Sequence, residues 1–181
     1  MKINNKIFKE EDSFLVFKTN SDDIVLAHER SCEIGVLPNS FTRGMGRMVG
    51  CLGEIAVNRL IPKSKYVGDK VFSHDIISKK RRIEVKSKTC TSTPKGHYIA
   101  SVNGKESMNP DNDVYFFTRV RKDLIKAWVV GWYPTTKLLK KTKFREKGYT
   151  FKDGFVTKVS GHHIPIKKLR PATQLLRGVY K

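Results

Sequence analysis

The sequence predicts a mixed α/β domain, with one long helix against a central sheet and further helices outside it. Three observations carry that prediction. Between positions 47 and 60 the apolar residues Met48, Leu52, Ile55, Ala56 and Leu60 recur at helical spacing. Positions 74–77 and 82–87 read as the two arms of a hairpin around Ser78, Lys79, Lys80 and Arg81. Positions 114–120 and 126–132 are apolar and aromatic enough to be central strands.

Taken in order, 8–17 reads as a short strand and 24–33 as a helix. Leu37-Pro38-Asn39-Ser40 is a break, and a glycine-rich entry, Arg43-Gly44-Met45-Gly46-Arg47, leads into the 47–60 helix, which Pro62 closes. A strand at 67–72 precedes the hairpin, and 97–102 is a further strand before the two central ones. Thr135 is expected to cap a short basic helix over 136–143. The tail offers a strand at 155–159 and a segment of mixed character over 165–176. No linker or repeat divides the chain, so its 181 residues are expected to form a single domain, 1–181, with a motif-bearing core at 43–132 and a basic extension at 133–181.

Lysine and arginine number 36 against 17 acidic residues, a net charge of +19. An imbalance of that size in a small domain predicts a polyanionic partner, most simply nucleic acid. No run is apolar enough to cross a bilayer and the first residues lack a signal-peptide core, so the expected location is the cytoplasm, with no membrane partner. The three cysteines, Cys32, Cys51 and Cys90, are odd in number and widely spaced. They suit neither a disulfide framework nor a zinc knuckle, and Cys51 falls in a helical apolar pattern and reads as core.

Four charged residues stand out: Glu54, Asp75, Glu84 and Lys86. On a strand, residues two apart share a face, so Glu84 and Lys86 project together while Ile83 and Val85 face the core. An even hairpin loop pairs Ser78 with Arg81 and places Asp75 opposite Glu84. Opposed Cβ atoms are about 4.5–5.5 Å apart, and two carboxylates there repel unless a cation lies between them. Mg²⁺ takes oxygen ligands from one or two carboxylates and keeps several waters. Lys86 beside it can orient or deprotonate an attacking water. Glu54, on the preceding helix, has Gly50, Val57 and Asn58 as neighbours and no basic residue among them. Gly50 and Gly53 are poor helix formers, which suggests a close approach on that face. Taken alone, an E-x-K triplet on a strand is a common solvated face. It is the combination with Asp75, Glu54 and the basic charge that points to phosphodiester chemistry.

These residues resemble the PD-(D/E)xK nuclease superfamily. The likeness lies in G-C-L-G-E-I-A-V around Glu54, H-D-I-I around Asp75 and I-E-V-K-S-K around Glu84 and Lys86, roughly positions 43 to 90. The run from Asn39 through the helix is similar to small phage-encoded members, for which the location would be a host cytoplasm. The resemblance implies a restriction-endonuclease-like fold, a central mixed sheet flanked by helices. It implies Mg²⁺-dependent hydrolysis of DNA, with Mn²⁺ able to substitute and no small-molecule cofactor. By it, Asp75, Glu84 and the Val85 carbonyl are metal ligands, Glu54 is the helix-borne acid and Lys86 the catalytic lysine. His74 stands where the motif has its proline. Many members dimerise to cut both strands, so a homodimer fits. An endonuclease is the first expectation. A resolvase or exonuclease using the same chemistry, and a non-catalytic nucleic-acid-binding protein, are the alternatives.

Other residues carry two readings each. Arg43 and Arg47 can clamp phosphates at the helix N-terminus or be ordinary solvated arginines. Lys79, Lys80, Arg81 and Arg82 suit phosphate contacts near the metal site, though a charged turn also aids solubility. Lys88 continues the Glu84–Lys86 face and is the best nucleic-acid contact of this group. His97, His162 and His163 read as surface or structural, Asp111 and Asp113 as a turn, and Phe116, Phe117, Trp128 and Trp132 as core.

Overall fold

Asp12 and Ser13 both have positive φ, 50° and 70°. They make the two-residue turn that divides the first expected strand into β1 (Phe8–Glu11) and β2 (Phe14–Lys18), paired antiparallel with Glu11 facing Phe14. Helix α1 (Ser21–Glu33) starts three residues earlier than its apolar pattern suggests. Its start is fixed by a reciprocal pair: Asp23 N–H donates to Asn20 Oδ1 at 2.9 Å, and Asn20 N–H donates to Asp23 Oδ2 at 3.0 Å. The computed structural model describes residues 8–33, 45–67, 74–104, 111–152 and 154–176.

Helix α2 (Met45–Leu60) buries Cys51, Leu52, Ile55, Ala56, Val57 and Leu60. Each such leucine or isoleucine contributes about 1.5–3 kcal/mol relative to leaving it exposed. After α2 come β3 (Ser64–Tyr66), β4 (Ile76–Ser78), β5 (Arg81–Cys90), β6 (Ile99–Asn103), β7 (Val114–Arg121) and β8 (Lys126–Pro134). The expected strand at 67–72 is displaced to β3, and positions 68–72 lie outside the described residues.

The main sheet has seven strands in the order β1-β2-β8-β7-β5-β4-β3. It is mixed: β5 and β7 run parallel at its centre, and the other neighbours run antiparallel. Two apolar clusters lie on its two faces. The first joins α1 and α2 to Ile83, Val85, Val114, Phe116, Val129 and Trp132. The second lies under a small sheet in the order β6-β10-β9, where β9 is Lys143–Arg145 and β10 is Gly161–Pro165. The two main helices therefore share one face, and the other face is roofed by strands. The expected mixed sheet packed against helices is present, and the crossover from β5 to its parallel neighbour β7 carries β6 among its described residues and no helix.

Two expectations in the tail are overturned. Helix α3 spans only Thr135–Leu138, and Pro134, not Thr135, precedes it, with no side-chain cap. The Thr135 hydroxyl is buried without a hydrogen-bond partner. The chain beyond α3 turns back as β9, so 143 begins a strand and does not end a helix. The segment 155–159 makes only an isolated bridge, Val156 with Thr150, and the true strand is β10, carrying His162 and His163. The segment 165–176 holds a 3-10 turn (Ile166–Lys168) and α4 (Thr173–Leu176). Among the described residues no helix is long and apolar enough to cross a membrane.

Candidate active site on the central strand

The hairpin forms in the expected register, with Ser78 facing Arg81, Ile77 facing Arg82 and Ile76 facing Ile83. Lys79 and Lys80 are its two-residue loop, and Lys79 takes the positive φ, 57°, that such loops need. Beyond Ile76 the pairing changes. Asp75 N–H donates to the Ile83 carbonyl at 3.0 Å, so Asp75 and Ile76 share one residue of β5, as in a β-bulge. Asp75 therefore does not stand squarely opposite Glu84. Its carboxylate is re-aimed, and Oδ2 accepts the Val85 N–H at 2.7 Å.

Glu84 and Lys86 project from the same face of β5, and Lys86 Nζ donates to Glu84 Oε1. The Glu84 side chain is 15% exposed and that of Lys86 38%, so the pair lies at a solvent-accessible rim. Burial pulls the Lys86 pKa down, but the Glu84 charge and hydrogen bond, with the Asp75 charge behind them, outweigh it and hold the pKa above its ordinary value. Without a metal ion beside it, Lys86 is thus a protonated donor to Glu84. Glu84 contacts the ammonium group directly, and the Asp75 charge acts on it from beyond.

Val85 bears on the metal expectation. A strand residue turns its N–H and C=O to the same edge, and the Val85 N–H meets Asp75, so the Val85 carbonyl is turned to that edge as well. Asp75, Glu84 and the Val85 carbonyl are oxygen donors of the kind Mg²⁺ takes, and they fit it as a small set completed by water. Glu54 is placed differently. A Cβ on its neighbour Gly53 would come closer than 3.0 Å to Ser87 Oγ and Thr118 Oγ1, so α2 rides on the odd-numbered face of β5, opposite Glu84 and Lys86. Glu54 is half-buried, and its Oε1 lies 3.9 Å from where a Cβ on Gly50 would be. Among the described residues no three His, Cys, Asp or Glu side chains are gathered to hold a metal. Glu54 is therefore not drawn into a three-carboxylate cage.

The basic candidates divide. Lys79, Lys80 and Arg81 are exposed at the hairpin tip. Arg82 is engaged by acids, with Nη1 at 3.6 Å from Asp111 and Nε at 3.8 Å from Asp113. Asp113 also accepts the Arg82 N–H at 2.7 Å, so the two aspartates tie the hairpin to the start of β7. Arg47 donates from Nη1 to the Ser31 carbonyl at 3.2 Å and fastens α2 to α1. Arg43 lies outside the described residues.

Lys88 keeps the face expected of it but is roofed by β6. Its Nζ donates to the Ser101 hydroxyl at 2.7 Å and to the Ile99 carbonyl at 3.2 Å. His163, on β10, has Nδ1 2.7 Å from the same hydroxyl, and His162 has Nδ1 3.1 Å from Thr142 Oγ1, so both are held structurally. Arg119 and Ser101 were not among the sequence candidates. The available signal was an arginine inside the apolar run V-Y-F-F-T-R-V, where a central strand has little place for an unpaired charge.

Comparison with protein-family models found no match, and comparison with curated proteins found none either.

Proposed function

We propose that the chain is a metal-dependent nuclease of the PD-(D/E)xK kind, hydrolysing phosphodiester bonds in DNA. The observation that carries this reading is the Glu84–Lys86 pair on one face of β5, with the Asp75 carboxylate seated on the amide of Val85 between them. The order helix, hairpin and E-x-K strand, with a parallel neighbour for that strand, supports a restriction-endonuclease-like arrangement.

Asp75, Glu84 and the Val85 carbonyl would hold Mg²⁺, or Mn²⁺ in its place. The ion would supply a Lewis acid that acidifies water and offsets charge on the phosphate. The protein's own residues do the remaining work. Lys86, kept protonated, donates to water or to the scissile phosphate and stabilises the charge that develops there. The hairpin-tip residues Lys79, Lys80 and Arg81 extend the positive surface along a backbone, and with +19 overall the affinity depends little on sequence and falls steeply with salt. Glu54 acts from α2 only if substrate or metal draws it toward the rim.

The test is cleavage of supercoiled plasmid with Mg²⁺ or Mn²⁺ by wild type, Asp75→Ala and Lys86→Ala. Metal-dependent nicking or linearisation, lost in both variants, supports the proposal. Salt-sensitive DNA binding with no cleavage of plasmid, linear or branched DNA sinks it in favour of a binding protein. Cutting of the closed circle separates an endonuclease from an obligate exonuclease, and preference for a four-way junction marks a resolvase.

A further inference from the structure

Lys88 on β5 and Arg119 on β7 are direct partners in the parallel ladder and project toward the small sheet. Side-by-side cations on neighbouring strands repel. Arg119 is also buried, 9% exposed, and Lys88 is half-buried beneath β6. Lys88 faces the Phe155 ring at 4.8 Å and Arg119 the Tyr98 ring at 5.8 Å, and their hydrogen bonds go to neutral acceptors. Arg119 Nη2 donates to the Ile99 carbonyl at 2.8 Å, the same carbonyl that Lys88 uses. Among the described residues neither forms an ion pair with a carboxylate. Both line a cavity of about 80 Å³ that Lys86 and Ser101 also line. A buried charge is retained at a cost unless something pairs with it.

We propose that this cavity is a phosphate pocket that seats a terminal phosphomonoester of a nucleic-acid strand. The inference rests on the nuclease reading for its substrate and on Lys88 and Arg119 for its chemistry. A guanidinium and an ammonium side by side, with a hydroxyl beside them, are the donor set that phosphate oxygens take. The volume admits a phosphate. A diester would have to thread through the pocket, whereas a monoester enters end-on and brings two negative charges to the Arg119 guanidinium and to a Lys88 amine that those charges would hold protonated. Lys86 lies two residues before Lys88 on one strand, about 6.6 Å away. A seated end therefore places one of the first bonds of the strand at the Glu84–Lys86 rim. The pocket adds a preference for ends to a surface that otherwise holds DNA by charge alone.

The experiment is metal-free binding, in EDTA, of short duplexes carrying a 5′-phosphate, a 3′-phosphate or only hydroxyl ends, read by fluorescence anisotropy. Wild type should bind one phosphorylated duplex roughly tenfold more tightly than the hydroxyl duplex. Millimolar inorganic phosphate should abolish that difference. Lys88→Met, which keeps the volume and drops the charge, should lose the preference while keeping general affinity. Ser101→Ala should weaken it, and its melting temperature reports whether the fold is intact. The two phosphorylated arms decide which strand end is seated. Equal affinity for phosphate and hydroxyl ends in wild type overturns the proposal, as does a preference undiminished in Lys88→Met. Cleavage is scored separately: end preference without metal-dependent cleavage keeps the pocket and removes the nuclease, and cleavage without preference does the reverse.

Discussion

The Asp75 carboxylate accepts the Val85 amide at 2.7 Å, a side-chain bond standing where a strand would otherwise supply a backbone partner. The same side chain thus fastens the end of the hairpin and presents charge to Lys86. Asp75→Ala removes both functions and leaves a strand amide without its acceptor. It should lower stability by about 1–3 kcal/mol and abolish cleavage. Asp75→Asn keeps an acceptor for the amide and should recover most of the stability without recovering cleavage. Urea denaturation of the two variants beside a plasmid assay separates the roles.

Glu84 and Asp75 hold the Lys86 pKa above its ordinary value, and the proposed nuclease role for it is donation. Lys86→Ala should reduce the cleavage rate by about 100-fold or more, the usual loss when a donor to a developing charge is removed. Binding to DNA in EDTA should change little. A Lys86→Ala variant that cleaves at the wild-type rate would move the chemistry away from β5.

The two glycines of α2 should respond in opposite directions. A Cβ on Gly53 collides with Ser87 Oγ and Thr118 Oγ1, which are bonded to each other at 2.7 Å beneath the helix. Gly53→Ala should therefore cost about 1–3 kcal/mol despite its better helix propensity. A Cβ on Gly50 meets only Glu54 Oε1, at 3.9 Å. Gly50→Ala should be stabilising by up to about 1 kcal/mol. Thermal melts of the two single variants give the comparison directly.

Stability should rise with pH over two windows. Burial first, and Arg119 second, lower the Lys88 pKa to about 7 from 10.5. Between those values the unfolded chain holds a proton that the folded chain has released, so stability increases as pH rises through the window. His163 is lowered to about 4 from 6.5, again by burial first, with Lys88, His162 and Arg145 adding to it. Stability is fully present above 6.5 and is lost as pH falls toward 4. Lys88→Met should be more stable than wild type near pH 7, with the gap closing toward pH 10, and His163→Gln should flatten the acidic slope. Urea midpoints across pH read both, and an unchanged alkaline slope in Lys88→Met would place its amine in the ordinary lysine range.

Local pattern made the centre of the molecule legible. The apolar period of α2, the even loop of the hairpin and the alternation along β5 are interactions between near neighbours in sequence, and each appears as read. Turn and cap chemistry was present but unread: Asp12-Ser13 divides the first strand, and Asn20 with Asp23 moves the start of α1. At the candidate site, period two gave the shared face of Glu84, Lys86 and Lys88 but could not give what covers it. That depends on β6 and β10 arriving from distant sequence, with Ser101 and His163 meeting across 62 positions. The helix bearing Glu54 was legible, but which face of the sheet it crosses was not, because that is decided by packing at Gly53.

The parallel pairing of β5 with β7 has a consequence for the protein as it is being made. An antiparallel hairpin such as β4–β5 can close as soon as both arms leave the ribosome, but β5 gains its second neighbour only after the whole crossover to Val114 has been synthesised. Until then the strand that bears Glu84 and Lys86 is an open edge, the kind of surface that recruits other chains. Ser101 follows in β6, and its partner His163 comes later still. A nascent chain therefore carries its acid–lysine strand well before it can enclose Lys88, and the cationic cavity is among the last parts of the molecule to exist.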